Sequence, residues 1–294
     1  MAESFIEVSA GHADRRIDKF LRAQLKGVPA SLIFRQMRKG DIRVNGRKVD
    51  PNYRLQEGDR IRMWQMDLLA DLPPPVVDKH IFKAVADSVL FEDAELLVIN
   101  KPAGIPVHGG TGHGGGVIEA LRQKFPQERD LELVHRLDRD TSGLLLVSKT
   151  TSVLRELQEI LRDREEEIFR GYLLKVEGAW PGDLRQIDVP LKRTETTVVP
   201  HSDGLRARTY FEVVKRLPGA TLVKAQLATG RKHQIRVHAQ YAGHPIVGDP
   251  RYGSRGGRAA TMHLHAAELV APRGAGKRQK FTAPLPKEWG MGRV

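Results

Sequence analysis

The chain has 294 residues, with 48 Lys and Arg against 36 Asp and Glu and a formal charge of +12 at neutral pH, which points to a polyanionic partner and to more than one domain. It contains no cysteine, so disulfides, thiolate metal sites and a cysteine nucleophile are excluded together. No apolar run approaches the roughly 20 residues that span a bilayer, and residues 1–12 have no basic segment followed by an apolar core, so a cytoplasmic protein without a membrane partner is expected.

After Asp14, read as an N-cap, Ile17, Phe20, Leu21 and Leu25 recur at spacings of three and four and predict an amphipathic helix ending near Gly27. A second helix is expected with Ser31 as cap, Ile33 and Met37 on one face, and Gly40 as its stop. Ile42 and Val44 then alternate with Arg43 ahead of Asn45-Gly46, a dipeptide suited to a type I′ turn because both positions tolerate positive φ. A further short strand puts Ile61 and Met63 inward. Charge is concentrated here, since residues 15–62 carry 14 basic and 5 acidic side chains, net +9.

Two short helices followed by a basic hairpin resemble the S4-like RNA-binding module. On that reading Arg35, Arg38, Lys39, Arg43, Arg47 and Lys48 form an RNA-binding surface suited to phosphates, with no evident means of reading base edges. A solvated basic face and a DNA-binding helix-turn-helix are the competing interpretations. Residues 68–77 lose helical periodicity and contain Pro73-Pro74-Pro75, which favours an extended connector. The expected division is an N-terminal domain over 1–67, a proline-containing linker over 68–85 and a larger domain over 86–294.

Within the larger part, residues 89–91, 96–99, 143–148, 172–176, 209–215 and 221–228 read as strands, and 117–124 and 151–164 as helices. The order lacks regular βα alternation, so an α+β fold with a mixed sheet is expected. Residues 221–228 alternate with Val223, Ala225 and Leu227 inward. Thr229-Gly230 then turns the chain into a helix with Ile235, Ala239 and Ala242 on one face, leaving Arg236 about 100° from Ile235 at the margin of the buried stripe.

The most informative stretch is His135-Arg136-Leu137-Asp138-Arg139-Asp140-Thr141-Ser142-Gly143, a charged turn running into the apolar strand Leu144-Leu145-Leu146-Val147. This arrangement holds side chains at the rim of a rigid sheet. Composition alone does not choose between Asp138 and Asp140 as a working carboxylate. His-Arg-Leu-Asp followed by Thr-Ser-Gly, however, is similar to the signature of pseudouridine synthases of the RluA, RluC and RluD type. Residues 100–104 (Asn-Lys-Pro-Ala-Gly), Val107-His108-Gly109, 229–238 (Thr-Gly-Arg-Lys-His-Gln-Ile-Arg-Val-His), 263–267 and Ala283-Pro284 resemble further blocks of that family in the same order. Residues 24–29 and 38–40 bring the chain nearest to the RluC branch. Lys232, where the family usually has a small hydroxyl residue, and the glycine-rich 109–116 are departures.

The resemblance implies isomerisation of uridines in large-subunit (23S) ribosomal RNA, with no cofactor, no metal and a monomeric chain. It implies that Asp138 is the catalytic carboxylate, that Arg236 pairs with it, and that Tyr172 stacks on the target base and assists proton removal from C5. It also makes Arg136 an RNA-contacting wedge that fills the space left by the displaced nucleotide. The chemistry is consistent with such a set. Moving ribose C1′ from N1 to C5 needs an ionised yet desolvated carboxylate, acting as nucleophile at C1′ or base on the ribose. Burial raises an aspartate pKa and an adjacent arginine lowers it again. The alternative is a noncatalytic RNA-binding assembly factor that retains the fold, in which Asp138 lacks its Arg236 partner. A phosphate loop at 109–116, metal sites at His108/His113 or His263/His265, and a Ser142-His135-Asp138 triad all lack the spacing that such sites need.

Overall fold

The computed structural model describes residues 4–25, 28, 30–63, 77–109, 114–128, 130–163, 167–253, 261–274 and 276–290. The expected prolines at 73–75 and half of the glycine-rich segment 109–116, residues 110–113, lie outside these. Two compact units are present, Met1–Asp78 with Gly110–Gly115, and Lys79–Gly109 with Gly116–Val294.

The first unit contains β1 (Ser4–Glu7), α1 (Ile17–Gln24), α2 (Ala30–Lys39), β2 (Ile42–Val44) and β3 (Arg60–Met63), its strands forming an antiparallel sheet in the order β1-β3-β2. Ile17, Phe20, Leu21, Ile33, Met37, Ile42, Val44 and Ile61 are all at most 2% exposed. Each fully buried side chain of this size contributes about 1.5–3 kcal/mol. The helix starts differ from expectation. Asp14 has φ +61° and is no N-cap. Its carboxylate instead accepts from Arg54 at 2.9 Å, while Arg16 precedes α1 without a side-chain cap. Ser31 lies inside α2, which begins one residue earlier.

The turn prediction holds, with Asn45 at φ +49° and Gly46 at φ +77°. Val44 and Arg47 exchange backbone hydrogen bonds across it at 2.9 and 2.8 Å. The partner strand of β2 is nonetheless β3, so the chain leaves the turn and returns 13 residues later. The Asn45 side chain spans that gap, donating to Asp59 Oδ1 at 2.7 Å and accepting from Arg60 N at 2.9 Å.

The second unit opens with α3 (Lys79–Ala86). The connector expected over 68–85 therefore ends in helix, whose Val85 is fully buried. There follow β4 (Val89–Glu92), β5 (Leu96–Lys101), α4 (Val117–Lys124), β6 (Glu132–Leu133), β7 (Ser142–Ser148), α5 (Thr151–Asp163), β8 (Phe169–Glu177), β9 (Gln186–Asp188), β10 (Leu191–Arg193), β11 (Val198–Pro200), β12 (Arg208–Leu217), β13 (Ala220–Leu227), α6 (Gln234–Tyr241), β14 (Leu264–Arg273) and β15 (Lys277–Thr282). Among the described residues, ten strands form one mixed sheet in the order β4-β5-β7-β14-β8-β13-β12-β9, with β15 paired to β14 and β6 to β7. This is the α+β arrangement read from the sequence.

Every residue of β7 is buried, as its unbroken apolar run requires of a strand covered on both faces. The pairing of β7 with β14 is parallel, His265 facing Ser142 and Ala266 facing Gly143, whereas the other pairings in this sheet are antiparallel. Gly143 makes that approach feasible. It has φ +107°, and a Cβ there would stand 2.3 Å from the carbonyl oxygen of Ala266.

Candidate active site

Asp138 sits on the loop between β6 and β7, where its backbone carbonyl accepts from Thr141 N at 3.2 Å and closes a turn. His135 fixes the start of that loop, its Nε2 accepting from Leu146 N of β7 at 3.2 Å. Burial of the ring, with the charge of Arg170, lowers the His135 pKa to about 4 against a hydrogen bond to the Arg136 backbone. The imidazole is thus a neutral structural acceptor. Lys101, at the end of β5, fixes the loop from the other side. Its fully buried ammonium donates to the carbonyls of Pro102, Ile105 and Arg139 at 2.7, 2.9 and 2.9 Å. Burial pushes its pKa down to about 7, while Asp140 and Asp138 pull it up.

The two aspartates left open by composition have different partners. Asp140 is held by its neighbour Arg139, Nε to Oδ1 at 2.9 Å, and that arginine is exposed. Asp138 Oδ2 accepts from Arg236 Nη1 at 2.8 Å, across 98 residues of sequence. The Asp138 side chain keeps 27% of its exposure while that of Arg236 keeps 5%, so the carboxylate is reachable from solvent and its countercharge is not.

Arg236 lies on α6, and the helix differs from the amphipathic one expected. Gln234, Ile235, Arg236, Val237, His238 and Ala239 are all buried, so Arg236 has no stripe margin to occupy. It is buried because a second carboxylate meets it. Asp249, a residue without any mark in the sequence, accepts from Arg236 Nε at 2.7 Å and Nη2 at 2.8 Å, and also from the backbone N–H groups of Arg251 and Tyr252 at 2.9 Å each. Burial, the largest influence on Asp249, raises its pKa, yet Arg236 and the two N–H groups together carry it below the usual aspartate value. For Arg236 burial acts downward, and Asp249 and Asp138 together raise its pKa. A permanently charged arginine clamped by one buried carboxylate is thereby aimed at a second, half-exposed one.

Gln234 secures the start of α6. Its Oε1 accepts from Thr229 Oγ1 and Arg231 N at 2.8 and 3.0 Å, and its Nε2 donates to Arg208 O and Thr209 Oγ1 at 2.9 and 3.0 Å. His233 precedes it with φ +55°, and its Nε2 lies 3.8 Å from Asp138 Oδ1.

Tyr172 is 7% exposed, on β8 opposite Ala225 and Ala266. It lines a shallow recess with His135, Leu144, Arg170, Ala266 and Glu268. Burial raises the phenol pKa, Arg170 opposes this and Asp138 adds to it, so the ring is neutral at neutral pH. Arg136 is exposed, as is Lys232. On the first unit Arg35, Arg38, Lys39, Arg47 and Lys48 are exposed. Arg43 is not equivalent to them, because it is half-buried and its Nε donates to Gly40 O at 2.9 Å, tying α2 to the hairpin. Of the histidines weighed as metal ligands, His263 stacks on Trp289 and His265 Nδ1 bonds Ser142 Oγ at 2.9 Å, while His113 lies outside the described residues.

The family model described as RNA pseudouridylate synthase matches residues 95–241, and an S4 domain model matches residues 15–61. The chain is 44% identical over 300 residues to Ribosomal large subunit pseudouridine synthase C of Salmonella typhi, covering 96% of this chain and 93% of that one. It is likewise 44% identical over 297 residues to the protein of the same name from Escherichia coli (strain K12), covering 95% and 92%. Among solved structures it resembles Human RNA Pseudouridylate Synthase Domain Containing 4, with a TM-score of 0.58 and 25% identity over 71% of this chain and 92% of that one. Human RNA Pseudouridylate Synthase Domain Containing 1 gives 0.57 and 26% over 67% and 82%. The identity with full-length relatives, the matched family model and the shared fold together make this chain a member of the RNA pseudouridylate synthase family, with an S4 domain at its N-terminus.

Proposed function

We propose that the protein isomerises uridines to pseudouridines in large-subunit ribosomal RNA, with Asp138 as the catalytic carboxylate. The observation that carries this reading is the Asp138–Arg236 pair at 2.8 Å, between a carboxylate open to solvent and a guanidinium that is not. A noncatalytic assembly factor has no need of that pair, and the curated relatives matched over nearly the whole chain bear the name of the enzyme.

The reaction breaks the bond from C1′ to N1, forms one from C1′ to C5, and moves a proton from C5 to N1, so atoms are neither added nor lost. Asp138 acts on the ribose as nucleophile at C1′ or as base, and the Arg236 guanidinium, at 2.8 Å, supplies its countercharge in a partly buried site. Tyr172 offers an aromatic face to an unpaired uracil. Its raised pKa makes stacking, rather than service as a pre-ionised base, the role that suits it. Arg136, exposed two residues before Asp138, has the position of a side chain that fills the gap left by a displaced nucleotide. The exposed cations of the S4 domain suit the phosphate backbone.

Asp138→Asn tests the assignment. Pseudouridine maps of large-subunit rRNA from cells carrying only the variant should lack the modifications made by the wild type, with folding and RNA binding retained. Normal modification by a variant verified free of deamidation would overturn it.

A further inference from the structure

The two oxygens of the Asp138 carboxylate are held unequally. Oδ2 takes the Arg236 hydrogen bond at 2.8 Å, and Oδ1 faces His233 Nε2 at 3.8 Å. The hydrogen-bond network behind His233 determines which of its nitrogens carries the proton. Tyr252 Oη accepts from Thr197 Oγ1 at 2.9 Å and from Val198 N at 3.1 Å, which uses both lone pairs of the phenol oxygen. Its own proton then has one remaining destination, His233 Nδ1 at 2.8 Å. With Nδ1 an acceptor, the neutral imidazole carries its proton on Nε2, the atom turned toward Asp138 Oδ1.

Tyr252 is in turn tied to the carboxylate that clamps Arg236. Its backbone N–H donates to Asp249 Oδ1 at 2.9 Å, and the Arg236 guanidinium lies 5.0 Å from the centre of its ring. One framework therefore orients both groups that meet Asp138.

We propose that His233 is a positioning residue for Asp138, held by Tyr252 as a neutral Nε2–H donor facing Oδ1, so that arginine and imidazole together set which carboxylate oxygen is presented to the ribose. The inference rests on the catalytic assignment of Asp138. Catalytic hydrogen bonds are often long in the free enzyme and tighten with substrate bound, and the 3.8 Å separation is of that kind.

Protonation of His233 works against this arrangement. A second ring proton on Nδ1 would point at a phenol oxygen with no lone pair left and would put a full positive charge opposite Oδ1. Burial lowers the His233 pKa first, Asp138 opposes this, and Arg236, Lys232 and Arg251 add to the lowering. These groups and Tyr252 are the charged and titratable neighbours of the imidazole. The single-turnover rate at saturating RNA should therefore fall as the pH drops below the ordinary histidine range.

The test compares His233→Gln, whose amide nitrogen reaches the place of Nε2, with His233→Asn, whose amide reaches only the place of Nδ1. Asparagine is the better residue for a left-handed backbone, so a merely structural role favours Asn. A donor role favours Gln. We expect the Gln variant to stay within about threefold of wild type, and the Asn variant to lose roughly tenfold or more in single-turnover rate with KM unchanged, as removal of a hydrogen bond to a charged group does. The acid limb of the pH profile should move to lower pH in the Gln variant. Equal rates for Asn and Gln, a faster Asn variant, or an acid limb unchanged in Gln would overturn the proposal. Asp138→Asn is run alongside as the separate control. Activity in that variant rejects the catalytic assignment, whatever the His233 variants do.

Discussion

Asp249 supplies two of the three charge-assisted hydrogen bonds that reach Arg236, and its side chain is 1% exposed against 27% for Asp138. The two carboxylates should therefore respond oppositely to amidation. Asp249→Asn breaks a buried pair from one side and should destabilise the fold by about 3 kcal/mol, measured by chemical denaturation. It should also slow single-turnover isomerisation at least roughly tenfold, because Arg236 loses the partner that aims it. Asp138→Asn should leave stability nearly unchanged. Because the Asp249 pKa is lowered in the folded protein, its stabilisation is full above the ordinary aspartate value near 4 and fades as pH falls through the lowered one. Wild type should therefore lose more stability on acidification than Asp249→Asn does. Asp138 and Arg236 were legible in the sequence through their motifs. Asp249 was not, since it stands in a tight turn with no periodicity, and a carboxylate 13 residues from its arginine carries no local mark of the pairing. His233 was visible inside its motif, but its left-handed backbone and its link to Tyr252 belong to the folded chain alone.

At the level of elements, the end of β5 shows how a strand terminus stiffens a catalytic loop. The Lys101 ammonium joins residues 102–105 to the Arg139 carbonyl, one residue from Asp138. Lys101→Met leaves three carbonyls without their donor and should destabilise the protein by about 3 kcal/mol or more. With a folded-state pKa lowered from 10.5 to about 7, the lysine binds fewer protons folded than unfolded between those values. The stability of wild type relative to Lys101→Met should thus rise with pH across that window, as urea titrations at several pH values would reveal. Some elements were plain from pattern. α4 coincides with the expected 117–124, and β7 adds only Ser142 to the expected run, because an amphipathic helix and a covered central strand each carry a clean signature. Others were not. α3 was absorbed into the proline-rich connector, and the ten residues of β14 alternate poorly because its partners change along its length, while α6 was expected at its place but not with six of its eight residues buried.

Across the whole molecule, charge and chemistry are unevenly divided. Residues 15–62 hold net +9 of the +12, while Asp138, Tyr172, His233, Arg236 and Asp249 all belong to the second unit. Replacing Arg35, Arg38 and Lys39 together by Gln should weaken RNA binding and make the slope of log affinity against log salt less steep by roughly 0.7–0.9 for each phosphate that is no longer neutralised. Single-turnover rates at saturating RNA should stay within about tenfold of wild type, a barrier change of about 1.4 kcal/mol. A loss of chemistry at saturation would mean that the S4 domain helps to build the active site. The parallel pairing of β7 with β14 bears on how the enzyme comes into being. β14 lies between β7 and β8 in the sheet order, so β4, β5 and β7 on one side join β8, β13, β12 and β9 on the other only when β14 enters. During translation the two halves emerge with open edges and wait for a strand made more than a hundred residues after β7. Such long-range closure is slow and exposes unpaired edges to aggregation. A nascent chain released before residue 264 would contain Asp138, Arg236 and Asp249 but lack the strand that links the β7 and β8 sides of the sheet, so it should be inactive although every residue of the site is present.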